Sequence, residues 1–204
     1  QAPPFDFVDR VFAPALHRSG TALDVQLVRH GFAPAGGGAI SASITPGTLT
    51  PVSWLQRHAT RLPRARALVA NLPRSIAERE LHVVGRTLDI HPEQRMVEEV
   101  ASAGPGNVLL LEFLAEPVGE LVSAPGERRT TAEQVAERAC AAAIRFLASC
   151  VPVGEHLADQ LLVPMALAGG GEFRTLPPSL HTRTNAEVVE RFLPVAIAMR
   201  EDAA

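Results

Sequence analysis

The chain has 204 residues, 47% of them hydrophobic, and a formal net charge of −3. That is enough apolar material for one domain or two small ones, and no overall field points to nucleic acid. All 19 basic residues are arginine, which excludes chemistry that needs a lysine nucleophile or Schiff base. No apolar run reaches the length of a membrane span.

The arginine excess reads mostly as base-composition bias, although a guanidinium fork suits phosphate. Cys140 and Cys150 lie ten residues apart in or at the end of a predicted helix, without a CxxC. That spacing does not suit a disulfide within one helix and fits a reduced, cytosolic setting. The N-terminus, Gln1-Ala-Pro-Pro-Phe-Asp6, lacks a leader pattern, and Gln1 as a first residue suggests that the chain begins inside a longer protein.

In chain order, residues 5–19 are expected to be helical, with Phe7, Val11 and Leu16 on one stripe and Gly20 at the end. Residues 23–29 alternate like a strand. A glycine-rich connection, Gly31 to Gly38, leads to a second alternating run at Ile40, Ala42 and Ile44, which predicts a hairpin. The Gly36–Gly38 run matches neither a P-loop nor a dinucleotide fingerprint and reads as a turn. Residues 46–63 read as a connection.

Next come a strand at 66–71 and a helix opened by a Ser75-x-x-Glu78 capping box, with Ile76, Leu81, Val84 and Leu88 inward. Strands at 107–114 and 119–123 follow, then a helix opened by Thr131-x-x-Gln134 with Val135, Ala139, Ala142 and Phe146 on one face. Strand, helix, two strands and helix make a compact α/β unit over 58–149. A helix from Glu155 to Ala168 contains Pro164 and stops at Gly169–Gly171. A third box, Thr184-x-x-Glu187, is expected to open a helix through Phe192, and Val195 to Met199 a final strand.

None of the seven histidines shows zinc-site spacing, and no GxSxG is present. His181 is the histidine of interest. It lies in Pro177-Pro-Ser-Leu-His-Thr-Arg-Thr-Asn185, just ahead of the expected helix. A helix start presents free N–H groups that attract phosphate and favours a neutral imidazole, the form a nucleophile needs. On its own, a histidine before a helix is more often a surface residue. The second candidate is His156-Leu-Ala-Asp-Gln160, where Asp159 and Gln160 interrupt an apolar helix. They either face solvent or turn into a cleft and hold a nucleotide, and physics alone leaves both readings open.

Together these segments resemble the RNA 3'-terminal phosphate cyclases. The run from His156 to Gly171 is followed by Pro178-Ser-Leu-His181-x-x-Thr184-Asn185-x-x-Val188-Val-Glu190-x-Phe192-Leu-Pro194 at the family spacing. Further matches are Ala2-Pro-Pro-x-Asp-Phe7, Arg29-His-Gly-Phe-x-Pro-Ala-Gly-Gly-Gly38, Pro73-Arg74 with Ala77-Glu-Arg-Glu80, and Gly104-Pro-Gly-Asn107.

The resemblance implies an α/β (α+β) fold. Residues 1–57 and 150–204 would be parts of a large catalytic domain of βαβαββ-type repeats, partial here, and 58–149 a small inserted α/β domain. It implies ATP-dependent conversion of an RNA 3'-phosphate into a 2',3'-cyclic phosphodiester, with His181 carrying AMP and a divalent cation, Mg²⁺ or Mn²⁺, assisting. Pro3, Phe7, His156, Leu157, Ala158, Asp159 and Gln160 would hold the nucleotide, with His156 at the adenine-stacking position. The partner would be RNA with a 3'-phosphate end, in the cytoplasm. The family's metal site and its phosphate-binding arginines would lie in a further region ahead of the Ala-Pro-Pro motif, so the metal ligands are unassigned. The alternatives are a non-catalytic RNA-processing or ribosome-assembly member of the family, or an inactive fragment.

Overall fold

A computed structural model of the chain describes residues 3–58 and 63–202. The expected Ala2 of the Ala-Pro-Pro motif lies outside them. Helix α1 covers 5–18 and opens with the turn Phe5–Phe7. It continues through a π-helical stretch, Val8–Phe12, and ends as the α-helical Ala13–Arg18. Phe7, Val11 and Ala15, four residues apart, are its deepest side chains. A widened π turn keeps that four-residue spacing on one face.

Strands β1 (Ala22–Arg29) and β2 (Ala39–Thr45) form the expected antiparallel hairpin. Leu23, Val25 and Leu27 sit opposite Ile44, Ala42 and Ile40, while Asp24 and Gln26 sit opposite Ser43 and Ser41. One face is therefore apolar and the other polar, as strict alternation requires. The connecting turn uses positive φ at Gly36 and Gly37.

After the short β3 (Ser53–Trp54) comes a mixed sheet of four strands: β4 (Arg64–Ala70), β5 (Arg95–Glu99), β6 (Gly106–Phe113) and β7 (Glu120–Pro125). Their order is β5-β4-β6-β7. Helix α2 (Ser75–Leu88) carries the chain from β4 to the parallel β5, and α3 (Ala132–Ser149) follows β7. Helix α4 (Glu155–Leu167), β8 (Glu172–Phe173, parallel to β3) and α5 (Leu180–Phe192) complete the fold. The architecture is α/β, as expected.

The sheet is buried on both faces. Ala65, Ala67, Leu109, Leu111 and Phe113 pack under α2 and α3 with Leu81, Val84, Val135 and Ala139. Leu68, Leu110 and Leu121 point the other way, onto Phe7 and Val11 of α1, Trp54, and Leu157 and Leu161 of α4. The unbroken apolar run Leu109-Leu-Leu111 follows from this, because a strand covered on both sides has no polar face to present. Half-buried ion pairs stitch α1 to the same sheet. Arg66 on β4 donates to Glu98 at 2.6 and 2.9 Å and to Asp6 at 2.5 Å, and Arg10 donates to Glu112 at 2.8 Å.

Five local expectations are corrected. Strand β5 was not anticipated: Arg95-Met-Val-Glu-Glu99 is an edge strand whose charges pair sideways, as Glu98 does with Arg66. Ser75 does not cap α2. The chain is already helical at Arg74, and the Pro73 carbonyl accepts the Ile76 N–H at 3.0 Å. Thr184 does not cap α5, which begins four residues earlier behind Ser179. His181 therefore lies within the helix rather than ahead of it. Residues 195–199 form no strand; the Ile197 N–H goes instead to the Glu190 carboxylate at 2.7 Å. The Thr131 box forms in full, with Gln134 N–H to Thr131 Oγ1 at 3.2 Å and Thr131 N–H to Gln134 Oε1 at 3.0 Å.

Candidate active site

Helix α4 starts at Gly154, which is extended and is followed at once by the His156–Gln160 segment. A Cβ on Gly154 would overlap the carboxyl of Glu120, a buried residue at the start of β7. That packing fixes where α4 begins. Along the first turns, Leu157 and Ala158 are buried at 0% and 1% exposure, His156 is exposed, and Asp159 and Gln160 are half-buried. The helical period sets this division: positions 157, 158 and 161 face the core, while 156, 159 and 160 share the outer face. Leu157 and Ala158 thus offer a ligand only main chain. Phe7 is buried beneath His156, edge-on to its ring at 6.3 Å between centroids and 88° between planes. Pro3 is half-buried just ahead of α1.

Two prolines, Pro177 and Pro178, deliver Ser179 in an extended conformation, and its hydroxyl accepts the Thr182 N–H at 3.2 Å. The N–H groups of Leu180 and His181 are left without a partner among the described residues. His181 is the second residue of α5, with its side chain 89% exposed. Its Nδ1 lies 3.7 Å from Oδ2 of Asp159, whose side chain is only 16% exposed. The two segments singled out in the sequence therefore meet at one point, α4 against the start of α5. Nδ1 faces the carboxylate, and solvent surrounds the rest of the ring.

One residue of this cluster carried no expected role. Asn185 Nδ2 donates to Asp159 twice, to the main-chain oxygen and to Oδ1, each at 3.0 Å. The amide of Gln160 approaches the other oxygen, Oδ2, at 3.3 Å. With the helix expected to open only at Thr184, the one-turn spacing between His181 and Asn185 was not visible. Once the helix opens at Ser179, positions 181 and 185 stand on one face. Among the described residues no group of three or more His, Cys, Asp or Glu side chains could hold a metal ion.

A family model described as RNA 3'-terminal phosphate cyclase matches residues 1–199. The chain belongs to that family. A cyclase of this name from Koribacter versatilis is 45% identical over 203 residues, covering 98% of the chain and 57% of the relative. One from Ectopseudomonas mendocina is 46% identical over 198 residues, covering 96% and 58%. One from Pseudomonas fluorescens is 47% identical over 202 residues, covering 98% and 58%. The chain thus spans somewhat under three fifths of the length of these cyclases. No described helix is long and apolar enough to cross a membrane.

Proposed function

We propose that this chain takes part in the ATP-dependent conversion of an RNA 3'-terminal phosphate to a 2',3'-cyclic phosphodiester, in the cytoplasm, with His181 as the residue that carries AMP. The observation that carries this reading is the meeting of Asp159 and His181. A solvent-facing imidazole has a half-buried carboxylate 3.7 Å from its Nδ1, next to N–H groups at a helix start that have no partner among the described residues. At 3.7 Å the pair is an ion-pair contact and not a hydrogen bond; drawn within hydrogen-bond reach, the carboxylate would take the Nδ1 proton and leave Nε2 as the free lone pair.

In the proposed sequence Nε2 attacks the α-phosphorus of ATP. The bond to the bridging oxygen breaks, and pyrophosphate leaves. An oxygen of the RNA 3'-phosphate then attacks the same phosphorus, the N–P bond breaks, and AMP passes to the RNA end. The 2'-hydroxyl next attacks the activated 3'-phosphorus, closes the ring and expels AMP, with the hydroxyl proton lost to water. The Leu180 and His181 N–H groups are placed to receive phosphate oxygens, as helix starts do. His156 offers an exposed ring over Phe7 for the base, Asp159 and Gln160 offer polar contacts, and Leu157 and Ala158 offer main chain. Pro3 lies toward the same end of α1.

ATP and a divalent cation, Mg²⁺ or Mn²⁺, belong to this reading. The described residues provide no ligand cluster for the cation, and no step is routed through it. We assign 1–57 and 150–204 to the catalytic domain and 58–149 to the inserted α/β domain, on the family resemblance.

The test is incubation with α-labelled ATP and Mg²⁺ or Mn²⁺. An acid-labile AMP adduct on the wild-type chain, absent from His181→Asn, is the expected result. A wild type that takes no label would overturn the assignment for this chain.

A further inference from the structure

We infer that Asn185 is a positioning residue for His181, acting through Asp159. The inference rests on the reading of His181 as the nucleophile. Its observations are geometric. One amide nitrogen spans the main-chain oxygen and Oδ1 of Asp159, both at 3.0 Å. The contact to Oδ1 restrains the carboxylate torsion and leaves Oδ2, which the Gln160 amide also approaches at 3.3 Å, 3.7 Å from the Nδ1 of His181.

Asn185 and His181 are one turn apart on α5, so the same helix that carries the imidazole carries the clamp that aims its partner. Helix α5 is itself seated by the buried Thr182, Ala186 and Val189, so removing the amide leaves its docking in place. Pro164 has no N–H to give the Gln160 carbonyl, and one residue earlier the Asp159 carbonyl accepts the Asn185 amide. Asparagine is suited to this task because its two amide hydrogens serve two acceptors at once.

The consequence is a choice of tautomer. Oriented by Asn185, Asp159 receives the proton on Nδ1, and Nε2 is left to attack. Asp159→Asn makes the role of Asn185 visible. In that variant Asn185 still donates to the atom at Oδ1, so that atom must be the amide oxygen. The new amide NH₂ then faces His181 and forces the ring to accept at Nδ1 and carry its proton on Nε2. The Gln160 amide can turn to suit either arrangement. An aspartate-to-asparagine exchange that selects the wrong tautomer has this logic in the serine protease triad.

The experiment is long-range ¹H–¹⁵N correlation spectroscopy of the histidine rings at a pH where they are neutral, with His181 assigned by its loss in His181→Asn. Four proteins are compared: wild type, Asn185→Ala, Asp159→Asn and the double variant. The expected results are the Nδ1–H form in the wild type, the Nε2–H form in Asp159→Asn, and a mixture in both proteins lacking Asn185. Identical spectra for wild type and Asn185→Ala would overturn the inference. So would an Asp159→Asn effect that is the same size with and without Asn185. If Asn185→Ala loses the dispersion of a folded sheet, Asn185→Ser replaces it, since one hydroxyl hydrogen cannot serve two acceptors.

Labelled ATP on the same proteins separates the two readings. A wild type that forms no adduct but shows the tautomer pattern removes the nucleophile and keeps the clamp. A wild type that forms the adduct as fast as Asn185→Ala, with equal tautomers, removes the clamp alone.

Discussion

Two carboxyl groups lie where the fold offers them little charge compensation. Glu120, at the start of β7, is buried against the start of α4, with no partner for Oε2 among the described residues, and burial raises its pKa from 4.5 to about 8. The facing N–H groups of Leu121 and Gly154 and the charge of Arg57 offset only part of this, and Glu155 adds to it. Glu80 on α2 is raised to about 7, again by burial, against the hydrogen bond from Asn107 at 3.0 Å. Asn107 also donates to the Leu68 carbonyl, so two of the quoted motif segments meet in one buried pair. A raised carboxyl pKa means that the folded state holds its proton more tightly than the unfolded chain does. The stabilisation is complete below about 4.5 and is lost as pH rises through about 7 for Glu80 and about 8 for Glu120, at up to roughly 1.4 kcal/mol per pH unit for each group. Gln imitates the neutral acid at every pH. The melting temperature of Glu120→Gln minus that of the wild type should therefore climb steadily from pH 5 to pH 8 and then level off. A difference that stays flat over that range contradicts a neutral buried Glu120.

Helix ends supply a sharper comparison, because the three capping boxes read in the sequence have two outcomes: Thr131 caps its helix, and Ser75 and Thr184 do not. Thr131 bonds into its helix start with Gln134 answering it, so Thr131→Ala should cost about 1 kcal/mol. Ser179→Ala should cost about the same, since its hydroxyl accepts the Thr182 N–H. Thr184 is exposed inside α5, where Ala is the better helix former, so Thr184→Ala should be neutral or gain a few tenths of a kcal/mol. Urea midpoints of the three variants check the ranking, and a Thr184→Ala loss as large as that of Thr131→Ala would contradict it.

The same contrast shows what the sequence could reveal. Elements with a strong period, such as the β1–β2 hairpin and the helix over 155–167, were readable, because burial acts on the pattern itself. A capping box was not decisive, because Ser75 and Thr184 carry the same letters as Thr131 while proline placed each helix start further upstream. Pro73 did this for α2, and Pro177 with Pro178 did it for α5. Strand β5 was hidden because its charges are spent on neighbours such as Arg66 rather than on solvent. At the site, the segments of Asp159 and His181 were visible as polar breaks, but the link through Asn185 depended on the true start of α5.

At the scale of the whole molecule, the hairpin connection is pressed against the sheet through glycine. A Cβ on Gly106, at the start of β6, would overlap the Phe32 ring, and one on Gly104 would meet Ala35. Gly37 approaches Ala103 from the other side, so a Cβ there would lie 3.2 Å from the Ala103 side chain. The glycines of Gly104-Pro-Gly106 thus serve contact rather than turn geometry, as neither has positive φ. This contact joins the 31–38 loop to the start of β6, an inner strand of the sheet that α1 and α4 already cover. Adding a methyl group at Gly106 must push Phe32 away, at a cost of about 1–3 kcal/mol for overpacking. Phe32→Ala removes the half-buried ring and should also destabilise. If the glycine is there to admit the ring, the two losses are not independent, because Phe32→Ala removes the ring atoms Cγ and Cδ1 that the new methyl group overlaps most and leaves only the Cβ of residue 32 pressing on it. The double variant Phe32→Ala/Gly106→Ala should then be more stable than the sum of the single effects by on the order of 1 kcal/mol. A denaturant cycle over the four proteins measures this coupling, and losses that add to within about 0.3 kcal/mol would show that the loop and the sheet are not in contact there.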